Sequence, residues 1–313
     1  MTRIWRGRQF HNQPEKSHQH GFLVDLWDEV RRRSFGRLDV AVHPGNAGVP
    51  GSDPQVLDML IAGEVEFATM MGPLIATRVP AAEIQGIPFA LASSAQAHAA
   101  ADGALGEYLR QEMAARGIYL IPGGALENGF RQICSVSRPV RTVDDLAGYR
   151  MRVPNGALFR ELFAALGAEP VTVNVADLYQ ALAEGRVDGH ENPLAITEAN
   201  RLDQVTRFVS VTNHVWSAFN LIAHRPFWLQ LPDDLQDLVR QATRTHIGRQ
   251  RASTVALNRS LETQLAARGL VFNTVDTAGF RARLSGGFYR GCRERCGETA
   301  WRLLEAAVGT LPA

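Results

Sequence analysis

The chain has 313 residues, 45% hydrophobic and 21% charged, a globular composition that excludes a disordered or fibrous protein. At about 150 residues per domain, the length predicts two domains. Lys+Arg and Asp+Glu balance at 33 and 32 for a formal charge of +1, so no polybasic field exists for nucleic acid or an anionic membrane.

All but one of the cations are arginine, Lys16 being the exception, so an arginine alone marks nothing. No run of about 18 apolar residues reads as a membrane span. Met1, Thr2, Arg3, Ile4, Trp5, Arg6, Gly7 and Arg8 include basic residues with no apolar run behind them, unlike a signal peptide. Cys134, Cys292 and Cys296 cannot all pair internally. Cys292 and Cys296 sit four apart in a helical segment, either touching or as unrelated members of one face.

Strands and helices alternate along the chain. Residues 37–43 place apolar side chains at every second position, as in a half-buried strand. Ser52, Asp53 and Pro54 then predict a helix cap with proline in the first turn, and Gly63 closes that helix. Further strands are expected at 65–70, 118–121, 132–136, 149–153, 171–173, 208–211 and 219–223. Helices are expected at 158–166 and 177–183, each closed by a glycine. From Pro232 to Arg268 the pattern is helical almost without interruption, far beyond the globular mean of about 11–12 residues. Together these predict an α/β fold with mixed sheets. No Pro- or Gly-rich linker separates the domains, which fits chain crossovers within structured elements and a hinged cleft.

Catalytic signatures are missing: no G-x-S-x-G, H-E-x-x-H, Walker loop or dinucleotide fingerprint occurs. His11, His18 and His20 cluster near the start, either as a metal site or as solvated side chains. Asp188 and Glu191 stand close in sequence, but no nucleophile accompanies them. In the strand at 149–153, Tyr149, Met151 and Val153 share one face, which puts Arg150 and Arg152 on the other. Asn155 is placed to cap the next helix. Arg152 thus falls at the carboxyl end of a strand beside a helix N-terminus, where open α/β sheets bind anionic ligands; the other reading is a surface arginine.

Several motifs recur in a fixed order: Gly129-Phe130-Arg131-Gln132, Asp144-Asp145-Leu146-Ala147-Gly148-Tyr149-Arg150-Met151-Arg152-Val153-Pro154, Leu178-Tyr179-Gln180-Ala181-Leu182, Val187-Asp188-Gly189-His190-Glu191-Asn192-Pro193 and Thr212-Asn213-His214. In this order the chain resembles, from about Phe10 to Leu304, the solute-binding proteins of tripartite ATP-independent periplasmic (TRAP) transporters, the DctP-like family. The resemblance implies a two-domain periplasmic binding protein fold, with mixed sheets around a central cleft and a long helix spanning both domains. The expected division is 1–128 plus about 218–257, and 129–217 plus about 258–313.

It further implies a periplasmic, monomeric binding protein without cofactor or metal. This protein would capture a small organic carboxylate (hydroxy, sugar or aromatic acid) and deliver it to the small and large permease subunits. Alternatives are a sensor of the same fold or an enzyme acting on a bound acid. Carried over by motif, Arg152 is the carboxylate clamp, with Arg131 and Asn192 beside it. Asn12, Gln13, Met71, Glu127, Trp216, Phe219 and Asn220 are further pocket candidates. For Glu127 the other reading is hinge hydrogen bonding; Trp216 either stacks on a ligand ring or fills the domain interface. His190 replaces the commoner glutamine, and Val175 stands where some sialic-acid binders carry phenylalanine.

Overall fold

The computed structural model describes residues 3–47, 49 and 53–312. Two sheets are present. The first has strands β1 (Trp5–Phe10), β2 (Leu38–His43), β3 (Phe67–Met71) and β4 (Ile118–Phe130), joined later in the chain by a strand at Trp216–His224. The second contains β5 (Gln132–Ser135), β6 (Arg150–Val153), β7 (Glu169–Thr172), β8 (Gly189–Asn192) and β9 (Phe208–Val211). With the late strand numbered β10, the last is β11 (Val271–Thr274). The orders are β2-β1-β3-β10-β4 and β11-β9-β5-β8-β6-β7, each mixing parallel and antiparallel pairs.

The alternation expected at 37–43 forms β2, with Leu38 and Val40 buried while Asp39 and Ala41 point outward. Three strands lie outside the expected set: β1, the short β8, with three charged or polar side chains in four residues, and β11. β8 is buried along its whole length because strands flank it on both sides, so no alternation marks it.

The chain crosses between sheets at two points that define a hinge. β4, in the first sheet, leads directly through Arg131 into β5 of the second; β9 leads through 212–215 into β10, back in the first. The Arg131 N–H donates to the Val215 carbonyl at 2.8 Å and ties the crossings together. The third link is the helix Asp233–Ala267, 35 residues long. Asp233 and Asp234 occupy its first turn, where the dipole favours anions. Leu235, Leu238, Val239, Ala242 and His246 form its buried stripe on the first lobe, and Leu261 and Leu265 that on the second. Gln250 and Thr254, at the crossing, are buried polar residues bonded to each other at 2.8 Å.

At the C-terminus the chain packs back on the first lobe. The helix Glu298–Val308 buries Ala300, Trp301 and Leu304 against the first-lobe helices Ser94–Asp102 and Ala104–Ala114 rather than staying with the second sheet. An apolar helical face goes wherever an apolar partner is open, and here that partner belongs to the other lobe. The helix after β2 begins at Asp53, while Ser52 lies outside the described residues.

Candidate functional site

Between the lobes lies a narrow cleft with about 390 Å³ of empty space, counting the part open to solvent. Of the sequence candidates, Arg152, Arg131, Asn192, Asn12, Gln13, Met71 and Phe219 line it. Glu127, Trp216 and Asn220 are not among its lining.

Arg152 sits on β6, in register with Val171 on one side and His190 on the other. It is 2% exposed. Its Nε donates to the Val173 carbonyl at 2.8 Å, and it makes no other hydrogen bond or ion pair among the described residues. Burial therefore drives its pKa down, to about 10, although nearby Glu191 pulls the other way. The cavity thus holds a guanidinium whose terminal nitrogens have no carboxylate.

Arg131 is 1% exposed and paired. Its Nε and Nη2 grip the Glu191 carboxylate, Nη2 at 2.7 Å, while Nη2 also donates to the Asn192 Oδ1 at 3.1 Å. His214 adds a contact from Nε2 to Glu191 at 3.2 Å. Burial alone would raise Glu191, yet Arg131 and His214 hold it down at about 2. Asp188 is likewise bound, by the Arg150 main-chain N–H and guanidinium. Both acidic candidates for acid–base work are held in ion pairs.

Asn192 donates from Nδ2 to the His190 Nδ1 at 3.0 Å. His190 keeps a buried Nε2 with no partner among the described residues. Burial and the Arg152 charge lower its pKa to about 3, so the ring is neutral.

Three candidates serve elsewhere. The Glu127 carboxylate accepts from Trp216 Nε1 at 3.0 Å, His98 Nε2 at 2.6 Å and Ser94 Oγ at 3.2 Å. The Glu127 main chain exchanges hydrogen bonds with Gln250 of the long helix at 2.9 and 2.7 Å. Trp216 thereby packs at the hinge and against Ala97, and Asn220 holds the Met70 carbonyl and Gln85. Asn155 does not cap the helix Ala157–Ala165; Gly156 takes that position at φ 128°, and Asn155 donates instead to Asn174 at 2.9 Å. His11 Nε2 meets His20 Nδ1 at 2.9 Å, a hydrogen bond between two rings.

The lining contributed outside the candidate set is Asp53, Asn128, Pro154, Asn155, Asn174, Val175 and Ile196. Asn155 followed directly from Arg152 at a strand end. Asp53 carried no such signal: it accepts from Asn12 Nδ2 at 2.7 Å, 41 residues away, and from Asn46 Nδ2 at 2.7 Å.

Two lobes joined by crossing strands, with a charged cavity between them, define a solute-binding protein. The family model described as bacterial extracellular solute-binding protein, family 7, matches residues 10–286. The chain belongs to this family, the binding components of TRAP transporters. A solute-binding protein of Roseobacter denitrificans is 29% identical over 268 residues, covering 86% of this chain and 81% of the relative. The C4-dicarboxylate-binding periplasmic protein of Rhodobacter capsulatus is 30% identical over 206 residues, 64% of this chain and 59% of that one. Among solved structures, a TRAP periplasmic solute-binding protein of R. denitrificans with bound L-galactonate superposes with a TM-score of 0.88. It is 26% identical, with 98% of this chain and 99% of that one covered. No helix among the described residues is long and apolar enough to cross a membrane.

Proposed function

We propose that the protein captures a small organic carboxylate between its lobes in the periplasm and delivers it, unchanged, to the small and large membrane subunits of a TRAP permease. One observation carries the reading: the buried Arg152 guanidinium, aimed into the cavity without a protein carboxylate. A ligand carboxylate there would make a charge-assisted pair and relieve the burial that depresses Arg152. Arg131, fixed by Glu191, has its Nη1 near only the Met71 Sδ at 3.6 Å and is available as a second donor. Asn192 is oriented by Arg131 and His190 to stand beside them. The relatives bind organic acids of two kinds, a C4-dicarboxylate and L-galactonate, which supports the acid but leaves its class to the site.

Thermal denaturation against a panel of carboxylic acids tests this. An acid at 100 times its Kd adds about 2.7 kcal/mol of stability. Arg152→Ala removes the shift, by a loss of roughly 2–5 kcal/mol in binding. Unchanged affinity in that variant refutes the clamp.

A further inference from the structure

We infer that the C-terminal helices form a strap across the two lobes, with Arg295 as the latch that fastens the closed form through Glu161. The inference goes beyond the binding reading above and rests on it only where affinity is measured.

The strap begins on the second lobe. The helix Thr277–Leu284 buries Phe280 and Leu284, and Arg283 Nη2 donates to Asp144 Oδ1 of that lobe at 2.8 Å. The next helix, Gly287–Cys296, packs instead on the first-lobe segment Pro80–Gly86, and its Tyr289 hydroxyl donates to the Pro88 carbonyl at 3.1 Å. The chain therefore passes between the lobes a fourth time, at Ser285, Gly286 and Gly287. Gly286 has φ 76°, and a Cβ on either glycine would meet nothing within 4 Å. The two glycines thus serve the backbone's freedom to turn rather than a close contact.

Each half of the strap reaches back to the other lobe. From the second-lobe side, Arg281 Nη1 donates to the Phe89 carbonyl at 3.3 Å, and its guanidinium carbon lies 4.5 Å from the centre of the Phe89 ring. Phe89 is held at φ 55°, a conformation that a bulky side chain rarely adopts. Its N–H donates at 2.7 Å to the carbonyl of His214, in one of the strand crossings. From the first-lobe side, Arg295 binds both lobes at once. Its Nε and Nη2 reach Glu83 Oε1 at 2.8 and 2.7 Å. Its Nη1 meets Glu161 Oε2, on the second-lobe helix Ala157–Ala165, at 2.6 Å.

The two ion pairs are unequal, and the inequality makes a latch. The Glu83 side chain is 4% exposed and the Glu161 side chain 46%. Losing Arg295 would leave Glu83 buried and unmatched, so that pair stays when the lobes part. Glu161 has only to exchange the guanidinium for water, at the small cost of a surface pair. Arg295 therefore travels with the first lobe and gives up Glu161 as the cleft opens. A ligand held between the lobes binds with an affinity proportional to the closed fraction, so a contact made only on closure tightens binding without touching the ligand.

The test joins small-angle scattering of the ligand-free chain to calorimetric titration with L-galactonate and with succinate. Wild type is compared with Glu161→Gln and with Glu161→Gln/Arg281→Met. Both side chains are exposed, so the ligand-free variants should keep the wild-type Tm. The expected result is a larger radius of gyration in the variants, and a dissociation constant about two- to fivefold weaker in Glu161→Gln for the acid that binds. The double variant should be weaker again. Removing a negative charge would by itself favour an anion, so weakening marks lost closure rather than lost charge. Raising the salt should also cost wild type more affinity than Glu161→Gln. Should the double variant not fold, Glu161→Gln decides. An unchanged or tighter dissociation constant in Glu161→Gln overturns the latch and leaves the carboxylate reading intact. If neither acid binds to wild type, that reading loses its support and the scattering decides the latch alone, an unchanged radius overturning it.

Discussion

Arg131 and Glu191 form a buried, bidentate ion pair next to the point where the chain passes from one lobe to the other, the Arg131 Nη2 also resting on the Glu191 carbonyl at 2.6 Å. The pair sets the site's electrostatics, because it neutralises one of two neighbouring arginines and leaves the Arg152 guanidinium without an ion pair among the described residues. Breaking such a pair leaves a buried charge unmatched. Glu191→Gln is expected to cost roughly 3–5 kcal/mol in urea unfolding. A loss below 1 kcal/mol would show that the pair is not what holds Arg131.

Arg152 should show the opposite balance. Burial lowers its pKa to about 10, so the cation costs stability in the empty protein. Arg152→Met removes that cost, worth about 1–3 kcal/mol, against one lost hydrogen bond to Val173 of about 1 kcal/mol. The ligand-free variant should melt no lower than wild type while binding no acid. A clear drop in Tm would mean that Arg152 is structural.

Lobe approach is limited at Gly156. Its φ is 128°, and a Cβ there would stand 2.9 Å from the Pro73 carbonyl of the first lobe. Gly156→Ala should therefore hold the lobes apart and weaken ligand binding by about tenfold or more, the cost of a strained residue being of order 1–3 kcal/mol. Small-angle scattering with and without ligand checks this; full compaction in the variant would refute it.

Glu127 gathers the Trp216 indole, His98 and Ser94 at the hinge, away from the cavity. Glu127→Ala should lower stability by about 1–3 kcal/mol through the donors it orphans, without changing the ranking of ligands. A reordered ligand panel would instead place Glu127 in contact with the solute.

The pH dependence follows from buried neutral histidines. Burial takes His190 to about 3, and burial with the His20 charge takes His11 to about 3, against 6.5 when unfolded. Both native pKa values are depressed, so the unfolded chain binds more protons between those limits. Their contribution is complete above pH 6.5 and drains away as the pH falls toward 3, at about 1.4 kcal/mol per unit for each group. Glu191, lowered to about 2, adds its own loss as the pH falls below 4.5. Urea midpoints from pH 7.5 to 4.5 should fall, and His190→Gln should flatten that slope. A flat profile in wild type would contradict the assignment.

Local order was legible in the sequence wherever it depends on neighbours along the chain. The period-two pattern at 37–43, the long helix from 233, and the strand that presents Arg152 before Pro154 all follow from spacing and turn residues. So did the motif series that carries the family, and with it Arg152, Arg131 and Asn192 at the cavity. What the tertiary structure decided depends on pairs far apart in sequence. Glu191 takes Arg131 from 60 residues away, and Asp53 meets Asn12 across 41. Glu127 turns toward Trp216, 89 residues on. A motif fixes which side chain leaves which face of a strand, because that is backbone geometry. Which charge is already matched, and which is left for a ligand, depends on how two lobes pack, and no local spacing encodes it.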